Sequence, residues 1–195
     1  MNEDHETLAV YDKEAAEYEA RVAEKSPVGL SEFLGKLPNN AHVLDLGCGP
    51  GLTAVRFQDV GHKVDAVDGS ASMVERAIAN GVSARQALFS DISGTDLYDG
   101  IWANFSLLHL PHYEFEPTLA RLHNALKPNG VFHIGMKIGS GESRDRLGRF
   151  YSYYQPEQLN AALKRCGFTA LRSTLGAGRG LEGSISEYMV VLSHG

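Results

Sequence analysis

VLDLGCGPGLTAV, residues 43–55, places an apolar run directly before three glycines that alternate with other residues. The apolar run is typical of a buried strand, and the residues after Gly51 are compatible with a helix. Glycine in such a turn lets a ligand lie against the backbone, because a side chain would hold it away. The first turn of the helix also has free N–H groups, which favour a carboxylate or a phosphate. The segment therefore predicts a strand, a ligand-binding loop and a helix.

The middle of the chain alternates between short apolar or β-branched runs and segments of helical periodicity. This alternation is typical of parallel strands joined by crossover helices. The predicted strands are residues 41–46, 63–68, 84–89, 100–104 and 130–136. The predicted helices are residues 52–60, 71–80 and 115–126, and the last one ends at a turn, KPNG, residues 127–130. We expect an α/β fold with a doubly wound, mostly parallel sheet and helices on both faces.

The two ends of the chain differ from this alternating middle. Near the N terminus, Tyr11, Ala15, Tyr18 and Val22 recur at helical spacing, so one or two helices are expected before the first strand. Near the C terminus, a helix over 156–166 is followed by two predicted strands, FTALRSTL and ISEYMVVLS. Such a hairpin places an antiparallel pair of strands at the edge of a parallel sheet.

The composition is that of one ordinary globular domain: 195 residues, 43% of them hydrophobic and 22% charged. The formal charge of −6 gives no basic surface for nucleic acid or membrane, so the expected partner is a small molecule. The acidic N terminus lacks the basic flank and apolar core of a secretion signal, so none is expected, and no apolar stretch approaches the roughly 20 residues of a membrane-spanning helix. Since Cys48 and Cys166 are the only cysteines, a reducing cytoplasmic location is expected.

The glycine loop matches a pattern found in dinucleotide-binding enzymes. Gly49, Gly51 and Ala54 satisfy GxGxxG/A, and Asp68 follows about 20 residues later, at the end of the second predicted strand. This match makes an NAD(P)-dependent oxidoreductase one interpretation of the sequence.

Two further acids favour a different interpretation. Asp45 stands two residues before Gly47, which extends the pattern to DxGxGxG, and Asp91 follows the third predicted strand. With these acids and the segments LDLGCGPG, VDAVDGSASMVERA and YDGIWANFSLLHLP, the chain resembles the class I S-adenosylmethionine-dependent methyltransferases. The resemblance is to their small-molecule branch and extends roughly over residues 40–137.

The resemblance implies a Rossmann-like sheet, S-adenosyl-L-methionine as the cofactor and S-adenosyl-L-homocysteine as its product. It divides the single expected domain into an N-terminal helical lid (1–40), a cofactor-binding core (41–137) and an acceptor-side segment with the C-terminal hairpin (138–195). The cofactor-binding residues that it implies are Tyr11, Tyr18, Asp45, Gly47, Cys48, Gly49, Gly51, Asp68, Gly69, Met73, Asp91, Ile92, Asn104, Phe105 and Ser106.

Several of these residues have a specific implied role. The carboxylate of Asp68 has two oxygens, which can accept hydrogen bonds from both ribose hydroxyls. Met73 and Ile92 would pack beside the adenine ring, and Asp91 would hold its amino group. Asp68 and Asp91 each have an alternative role as the cap of the segment that follows. Residues 104–106 would border the sulfonium.

Three residues of the implied cofactor site have alternative interpretations. Cys48 precedes a helix, whose N terminus could lower its thiol pKa and make it a nucleophile, although a packing role is favoured. Tyr11 and Tyr18 belong either to a lid over the cofactor or to the packed face of a helix.

The acceptor side is less defined by the sequence. His109 is a candidate proton acceptor, because a neutral imidazole can take up a proton near pH 7, but it could equally be a packed histidine. Arg149, Tyr151 and Tyr153 are candidate acceptor-binding residues, with a solvated surface as the alternative. The segment HLPHYEFEP gathers histidines and glutamates, but its proline interrupts regular ligand spacing, so we expect no metal site.

The predicted function is methyl transfer from S-adenosyl-L-methionine to an O, N or other nucleophilic atom of a small molecule. Aligning the acceptor behind the methyl–sulfur bond and excluding water are the main demands of that reaction. The alternatives are the NAD(P)-dependent oxidoreductase and a protein that binds the methyl donor without turnover.

Overall fold

The computed structural model describes residues 4–23 and 26–195. Within these residues the helices are α1 (His5–Val22), α2 (Leu30–Leu34), α3 (Leu52–Asp59), α4 (Ala71–Ala79), α5 (His112–Ala125) and α6 (Pro156–Arg165). The strands are β1 (His42–Leu46), β2 (Lys63–Asp68), β3 (Ala84–Gln86), β4 (Tyr98–Asn104), β5 (Leu126–Lys137), β6 (Glu142–Arg144), β7 (Phe150–Ser152), β8 (Thr169–Arg179) and β9 (Ile185–His194).

Seven of these strands form one sheet in the order β3-β2-β1-β4-β5-β9-β8. β1 pairs in parallel with β2 and β4, β2 with β3, and β4 with β5. β9 runs antiparallel to β5 and β8, so the predicted C-terminal pair lies at the sheet edge. The predicted α/β fold with a mostly parallel, doubly wound sheet is confirmed. Because the strand order reverses at β1 and β4, a crevice opens at their C-terminal ends.

Helices cover both faces of the sheet. On one face, Phe115 and Leu119 belong to the buried stripe of α5 that the sequence predicts, and they pack in the larger apolar cluster. On the other face, Phe33 of α2 and Phe57 of α3 pack on Trp102 of β4, with ring centroids 5.2 Å and 5.9 Å from that of Trp102. The central strands are therefore buried between two helical layers, which fixes the positions of their C-terminal ends.

The predicted turn at KPNG, residues 127–130, is wrong. These residues belong to β5 as an irregularity, because β5 pairs with β4 both before and after them. Asn129 takes a positive φ of 62°, and the Lys127 ammonium lies 2.9 Å from the carboxylate of Asp99 in β4. The ion pair holds residues 127–130 of β5 against β4.

Two further differences concern short segments. β3 ends at Gln86, and the rest of the strand predicted over 84–89 leads into one 3-10 turn, Phe89–Asp91. The antiparallel pair of β6 and β7 was not predicted. Its two strands have three residues each, too few for an alternating pattern to be recognised in the sequence.

Among the helices of the described residues, none combines the length and the apolar character needed to cross a bilayer.

Leu44 tests the central position of β1 in the core. Its side chain is fully buried, so we expect Leu44→Ala to lower the free energy of unfolding by about 2–5 kcal/mol, measured by urea denaturation. The matched control is Ile78→Ala on α4, where the side chain is 56% exposed and a change within about 0.5 kcal/mol is expected. Equal effects of the two substitutions would contradict this account of the core.

Candidate active site

A cleft lies at the C-terminal ends of β1, β2 and β4 and is covered by residues of α1. It encloses about 850 Å³ of space, part of which is open to solvent. The predicted site residues that line it are Tyr11, Tyr18, Gly47, Gly49, Asp68, Gly69, Met73, Asn104, Phe105, Ser106 and His109. The switch point of the sheet brings these separate segments together, as expected for this class of topology.

Part of the cleft wall was not predicted. These lining residues are Asp4, Thr7, Leu8, Ala87, Leu88, Phe89, Leu110 and Pro111. Leu8 precedes Tyr11 by three residues on α1, and the apolar run at 87–89 directly follows the short strand β3. Helical spacing from Tyr11 could therefore have identified Leu8, and the position after a strand end could have identified residues 87–89.

The glycine loop passes through gaps that exclude side chains. Gly47 has a φ of +75°, and a Cβ there would lie 2.4 Å from Cβ of Ser106. Gly51 has a φ of +77°, and its Cβ would lie 2.9 Å from Cβ of Ala77 in α4. Gly51 therefore allows close packing of α4 and lies outside the cleft lining, whereas Gly47 and Gly49 present bare backbone to the cleft.

Asp68 ties the glycine loop to the start of α4. Its Oδ2 accepts a hydrogen bond from Gly49 N at 2.8 Å, and its Oδ1 accepts one from Ser70 N at 2.9 Å. Burial raises the pKa of Asp68, while the backbone donors at Ser70 and Gly49 act to lower it. The helix cap itself is Ser70, whose Oγ accepts from Met73 N at 3.2 Å. The backbone thus occupies part of the acceptor capacity of the Asp68 carboxylate, which lines the cleft.

Asp45 and Ser106 lie buried beside the loop with unsatisfied polar atoms. Among the described residues, neither Oδ2 of Asp45 nor Oγ of Ser106 has a hydrogen-bond partner. Burial, with the charge of Asp68, raises the pKa of Asp45 to about 8, although the backbone N–H of Ala54 acts against this. Each of these two atoms can therefore form a further hydrogen bond; Ser106 lines the cleft, whereas Asp45 lies outside its lining.

The structure does not favour the alternative interpretation of Cys48 as an activated nucleophile. Burial and the nearby carboxylates of Asp45 and Asp68 raise its pKa, so the thiolate is disfavoured. Cys48 is 8% exposed, packs with Ala54 and neighbouring residues, and lies outside the cleft lining. The packing role favoured from the sequence matches this position.

Asp91 and Ile92 also lie outside the cleft lining. The Asp91 carboxylate is exposed and accepts a hydrogen bond from Leu88 N at 3.0 Å, which caps its own 3-10 turn. Ile92 is buried in the core. The apolar side chains that face the cleft at this position are Leu88 and Phe89.

His109 is held in one tautomer by two hydrogen bonds. Its Nδ1 donates to the Phe150 carbonyl oxygen at 2.6 Å, which leaves Nε2 to accept from the Tyr11 hydroxyl at 2.8 Å. Burial lowers the pKa of His109 to about 4, and the charges of Arg149 and Lys137 lower it further. His109 is therefore neutral at pH 7 and a weak base.

Arg149 lies behind Tyr11 rather than in the cleft lining. Its guanidinium donates to the Tyr11 hydroxyl at 3.0 Å and pairs with Asp145 at 2.7 Å, and both charged side chains are 3% exposed. Tyr151 is buried, with its ring centroid 4.8 Å from that of His109. The Tyr153 ring stacks 6.0 Å from that of Tyr151. These predicted acceptor residues thus form a polar and aromatic wall around His109 and Tyr11.

Sequence reasoning missed His133, which orients a cleft residue. His133 is fully buried in β5, and its ring stacks on Trp102 at a centroid distance of 3.5 Å. Burial lowers its pKa to about 3, so the ring is neutral and Nε2 donates to Oδ1 of Asn104 at 3.1 Å. The hydrogen bond orients the side-chain amide of Asn104, which lines the cleft.

α1 is fastened over the cleft at two positions in its N-terminal half. Asp12 accepts hydrogen bonds from Ser70 Oγ at 2.6 Å and Ser72 N at 3.0 Å, at the start of α4. At the other side, Thr7 Oγ1 accepts from Phe150 N at 2.8 Å. Tyr11 and Tyr18 of the same helix contact each other edge to face, with ring centroids 5.8 Å apart. The helix therefore shields the cleft with its aromatic side chains.

The histidines and glutamates of HLPHYEFEP have other contacts. Glu116 pairs with Arg165 at 2.6 Å, and Nε2 of His112 lies 3.1 Å from the Tyr153 carbonyl oxygen. Within residues 4–23 and 26–195, no three His, Cys, Asp or Glu side chains are grouped to hold a metal ion.

The chain matches known methyltransferases in sequence. A family model described as "Methyltransferase domain" matches residues 18–173. Trans-aconitate 2-methyltransferase of Paracidovorax citrulli is 37% identical over 129 residues, which cover 60% of this chain and 48% of that protein. The enzyme of the same name from Variovorax paradoxus is 39% identical over 121 residues, 58% of this chain and 45% of that protein. The chain spans about half the length of the curated relatives it matches.

Solved structures share the fold over nearly the whole chain. The Burkholderia thailandensis 1,6-didemethyltoxoflavin-N1-methyltransferase, bound to 1,6-didemethyltoxoflavin and S-adenosylhomocysteine, has a TM-score of 0.72 and 25% identity. The match covers 100% of this chain and 91% of that chain. The [4+2]-cyclase SpnF also has a TM-score of 0.72, at 17% identity, with 95% and 93% covered. The cyclase shares the fold alone.

The contact between Gly47 and Ser106 generates a steric prediction. We expect Gly47→Ala to lower the free energy of unfolding by about 1–3 kcal/mol more than Gly81→Ala. Both glycines have positive φ, but nothing lies within 4 Å of a Cβ built at Gly81, so that variant controls for backbone strain. Chemical denaturation measures both.

Replacing Ser106 by glycine in the Gly47→Ala background should recover most of the lost stability, because it removes the Cβ that collides. A double variant as unstable as Gly47→Ala alone would contradict the steric explanation.

The raised pKa of Asp45 predicts a pH dependence of stability. The carboxyl group stays protonated to about pH 8 in the folded protein but ionises near its ordinary value of 3.8 when unfolded. The folded state binds more protons between these values, so this group makes stability fall as pH rises. We expect Asp45→Asn to gain stability relative to the wild type from about pH 4 to about pH 8, with little difference below pH 4. Thermal unfolding across this range measures the difference.

Asp59→Asn, at an exposed position at the end of α3, is the matched control and should follow the wild-type curve. A constant offset between Asp45→Asn and the wild type over the whole range would contradict the raised pKa.

Proposed function

The chain belongs to the methyltransferase domain family, and from this premise we propose that it transfers a methyl group from S-adenosyl-L-methionine to a small-molecule acceptor. The observation that carries the proposal is the Asp68 carboxylate, which faces the cleft beside the bare backbone of Gly47 and Gly49. S-adenosyl-L-methionine supplies a methyl group on a positively charged sulfur, and this group is already electrophilic. The protein must therefore bind, orient and desolvate rather than activate the donor.

The residues of the cleft fit such a donor in three ways. The Asp68 carboxylate has two acceptor oxygens at the cleft, which suits the two neighbouring hydroxyls of a ribose. The glycine loop leaves space for the middle of the ligand. Asp45, buried behind the glycine loop, would favour a positively charged group of the donor nearby, since such a charge stabilises the ionised form of a carboxyl with a raised pKa.

An apolar wall supports the assignment of an adenine pocket. Met73, Leu88 and Phe89 line the cleft beyond Asp68. We assign the adenine ring to this wall, with Asp91 and Ile92 acting through the turn that they complete. Asn104, Phe105 and Ser106, at the end of β4, are assigned to the donor sulfur and the acceptor side, because they line the cleft next to Gly47.

His109 fits a positioning role better than that of a strong base. Its pKa of about 4 makes protonation unfavourable at pH 7, and Nε2 already accepts a hydrogen bond from the Tyr11 hydroxyl. We assign His109, with Arg149, the task of holding Tyr11 and α1 over the cleft. Shielding by this helix excludes water from the reacting groups, which is a main requirement for methyl transfer.

Family membership favours methyl transfer over the NAD(P)-dependent alternative. Binding of a donor without turnover is a separate possibility, because a shared fold does not by itself imply shared chemistry and the fold also occurs in a [4+2]-cyclase. Release of labelled product from a labelled methyl donor distinguishes the two functions. We further propose a cytoplasmic location on the basis of the free thiols of Cys48 and Cys166, and no nucleic-acid partner because the formal charge is −6.

The role of Asp68 can be tested by donor binding. We expect Asp68→Ala to weaken binding of S-adenosyl-L-homocysteine by about 10- to 100-fold, because two hydrogen bonds to the ligand are lost. Asp68→Asn keeps one acceptor oxygen and should bind with intermediate affinity. Isothermal titration calorimetry measures the dissociation constants.

Cys48→Ala is the control in the same loop, because its side chain packs behind the cleft, and its affinity should stay within about threefold of the wild type. Circular dichroism checks that each variant is folded. Equal affinity of folded Asp68→Ala and Cys48→Ala proteins would overturn the proposed donor site.

A further inference from the structure

One face of the hairpin formed by β8 and β9 is exposed at its tip. Residues directly opposite each other in an antiparallel pair share a face, and so do alternate residues along a strand. The pairs Ala177–Glu187 and Arg179–Ile185 therefore lie on one face, together with Leu175. The side chain of Leu175 is 63% exposed and that of Ile185 is 69% exposed. These five residues are called the tip face.

The tip of the hairpin is held in place by other segments. Arg21 of α1 donates a hydrogen bond to the Gly180 carbonyl oxygen at 2.6 Å. On the opposite face of the hairpin, the Tyr188 ring lies over β8, where a Cβ at Gly176 would be 2.5 Å from Cζ of the ring. The same ring contacts Phe105 of the cleft lining, with centroids 5.3 Å apart. The tip face is therefore a preformed surface on the side of the hairpin away from this contact.

The position of the tip face also favours an interaction. β8 has 11 residues and is the edge strand of the sheet, and no strand of residues 4–23 and 26–195 pairs with its outer side. Single exposed apolar side chains, such as Val60 and Ile78 on two different helices, are ordinary at a protein surface. Two large ones on one face of an edge hairpin indicate a surface that a partner covers.

The tip face carries two opposite charges without an ion-pair partner. The Arg179 guanidinium donates to the Gly183 carbonyl oxygen at 2.6 Å, but within the described part of the chain no carboxylate pairs with it, and no cation pairs with Glu187. A purely acidic or purely basic partner would leave one of the two charges beside a like charge. A second copy of this chain, related by a two-fold axis, supplies a carboxylate for Arg179 and a guanidinium for Glu187 at once.

We propose that the tip face binds the tip face of a second copy of this chain. Leu175 and Ile185 pack against the second copy, and Arg179 of each copy pairs with Glu187 of the other. The inference goes beyond the proposed function and does not depend on it, because the cleft contact lies on the other side of the hairpin. The face is small, so we expect a weak, reversible dimer rather than a permanent one.

Sedimentation equilibrium of the full chain measures the dissociation constant of this dimer. We expect about 10–100 µM for the wild type. Leu175→Asp places an unpaired charge against the second copy and should raise the constant at least about 30-fold. The matched control is Ile78→Asp, at a side chain 56% exposed on α4, which connects β2 and β3 at the opposite edge of the sheet. This variant should dimerise as the wild type does.

Exchange of the two charges tests the pairing itself. Arg179→Glu and Glu187→Arg each place like charges together across the interface, so each should weaken the dimer about 10-fold. The double variant restores opposite charges and should return to within about threefold of the wild type. An effect on folding alone would not be reversed by the second exchange. Circular dichroism checks that each variant is folded, which is expected at these exposed positions.

Three results would overturn the inference. The first is a wild type that stays monomeric at about 1 mM, which would leave the tip face to a different partner. The second is equal weakening of the dimer by Leu175→Asp and Ile78→Asp, which would place the interface elsewhere. The third is a double charge exchange that dimerises as weakly as the single exchanges, which would show that Arg179 and Glu187 do not pair between copies.

Discussion

The hydrogen bonds of the Asp68 carboxylate hold the site together. By accepting from Gly49 N and Ser70 N, one side chain at the end of β2 connects the glycine loop after β1 with the beginning of α4. The loop can make this connection only because Gly47 has no Cβ to collide with Ser106, at the end of β4. The ends of three neighbouring strands are thereby fixed relative to one another. A ligand that meets Asp68 must also meet the backbone of the loop.

The second organising feature is the polar network beneath α1. Asp145 neutralises Arg149, and Arg149 donates a hydrogen bond to the Tyr11 hydroxyl. The Tyr11 hydroxyl donates to Nε2 of His109, and Nδ1–H of His109 donates to the Phe150 carbonyl oxygen. Since every donor in this series has an acceptor, the network stabilises a covered cleft without leaving a free base in it. This arrangement is the reason why the proposed chemistry relies on positioning and on the exclusion of water.

Much of the fold followed from local patterns, whereas the site followed only in part. The glycine spacing and Asp68 are contiguous signals, and both are found where the pattern placed them. Asp91 shows the limit: its position after a strand suggests a ligand contact, yet its carboxylate is exposed and bonded to Leu88 N. His133 gave no signal at all, because it is one residue of an ordinary strand and its surroundings come from distant segments.

The sequence by itself determined the α/β fold, the order of its elements and the ligand loop, because apolar periodicity and glycine act over a few neighbouring residues. It did not determine the irregularity of β5 at residues 127–130, which depends on pairing with β4 and on the ion pair to Asp99. The tertiary structure alone decided the charge state of the cleft. Burial and charges from remote segments raise the pKa of Asp45 and lower that of His109, so both side chains favour their neutral forms. These effects depend on distances in space, which the spacing of residues along the chain does not give.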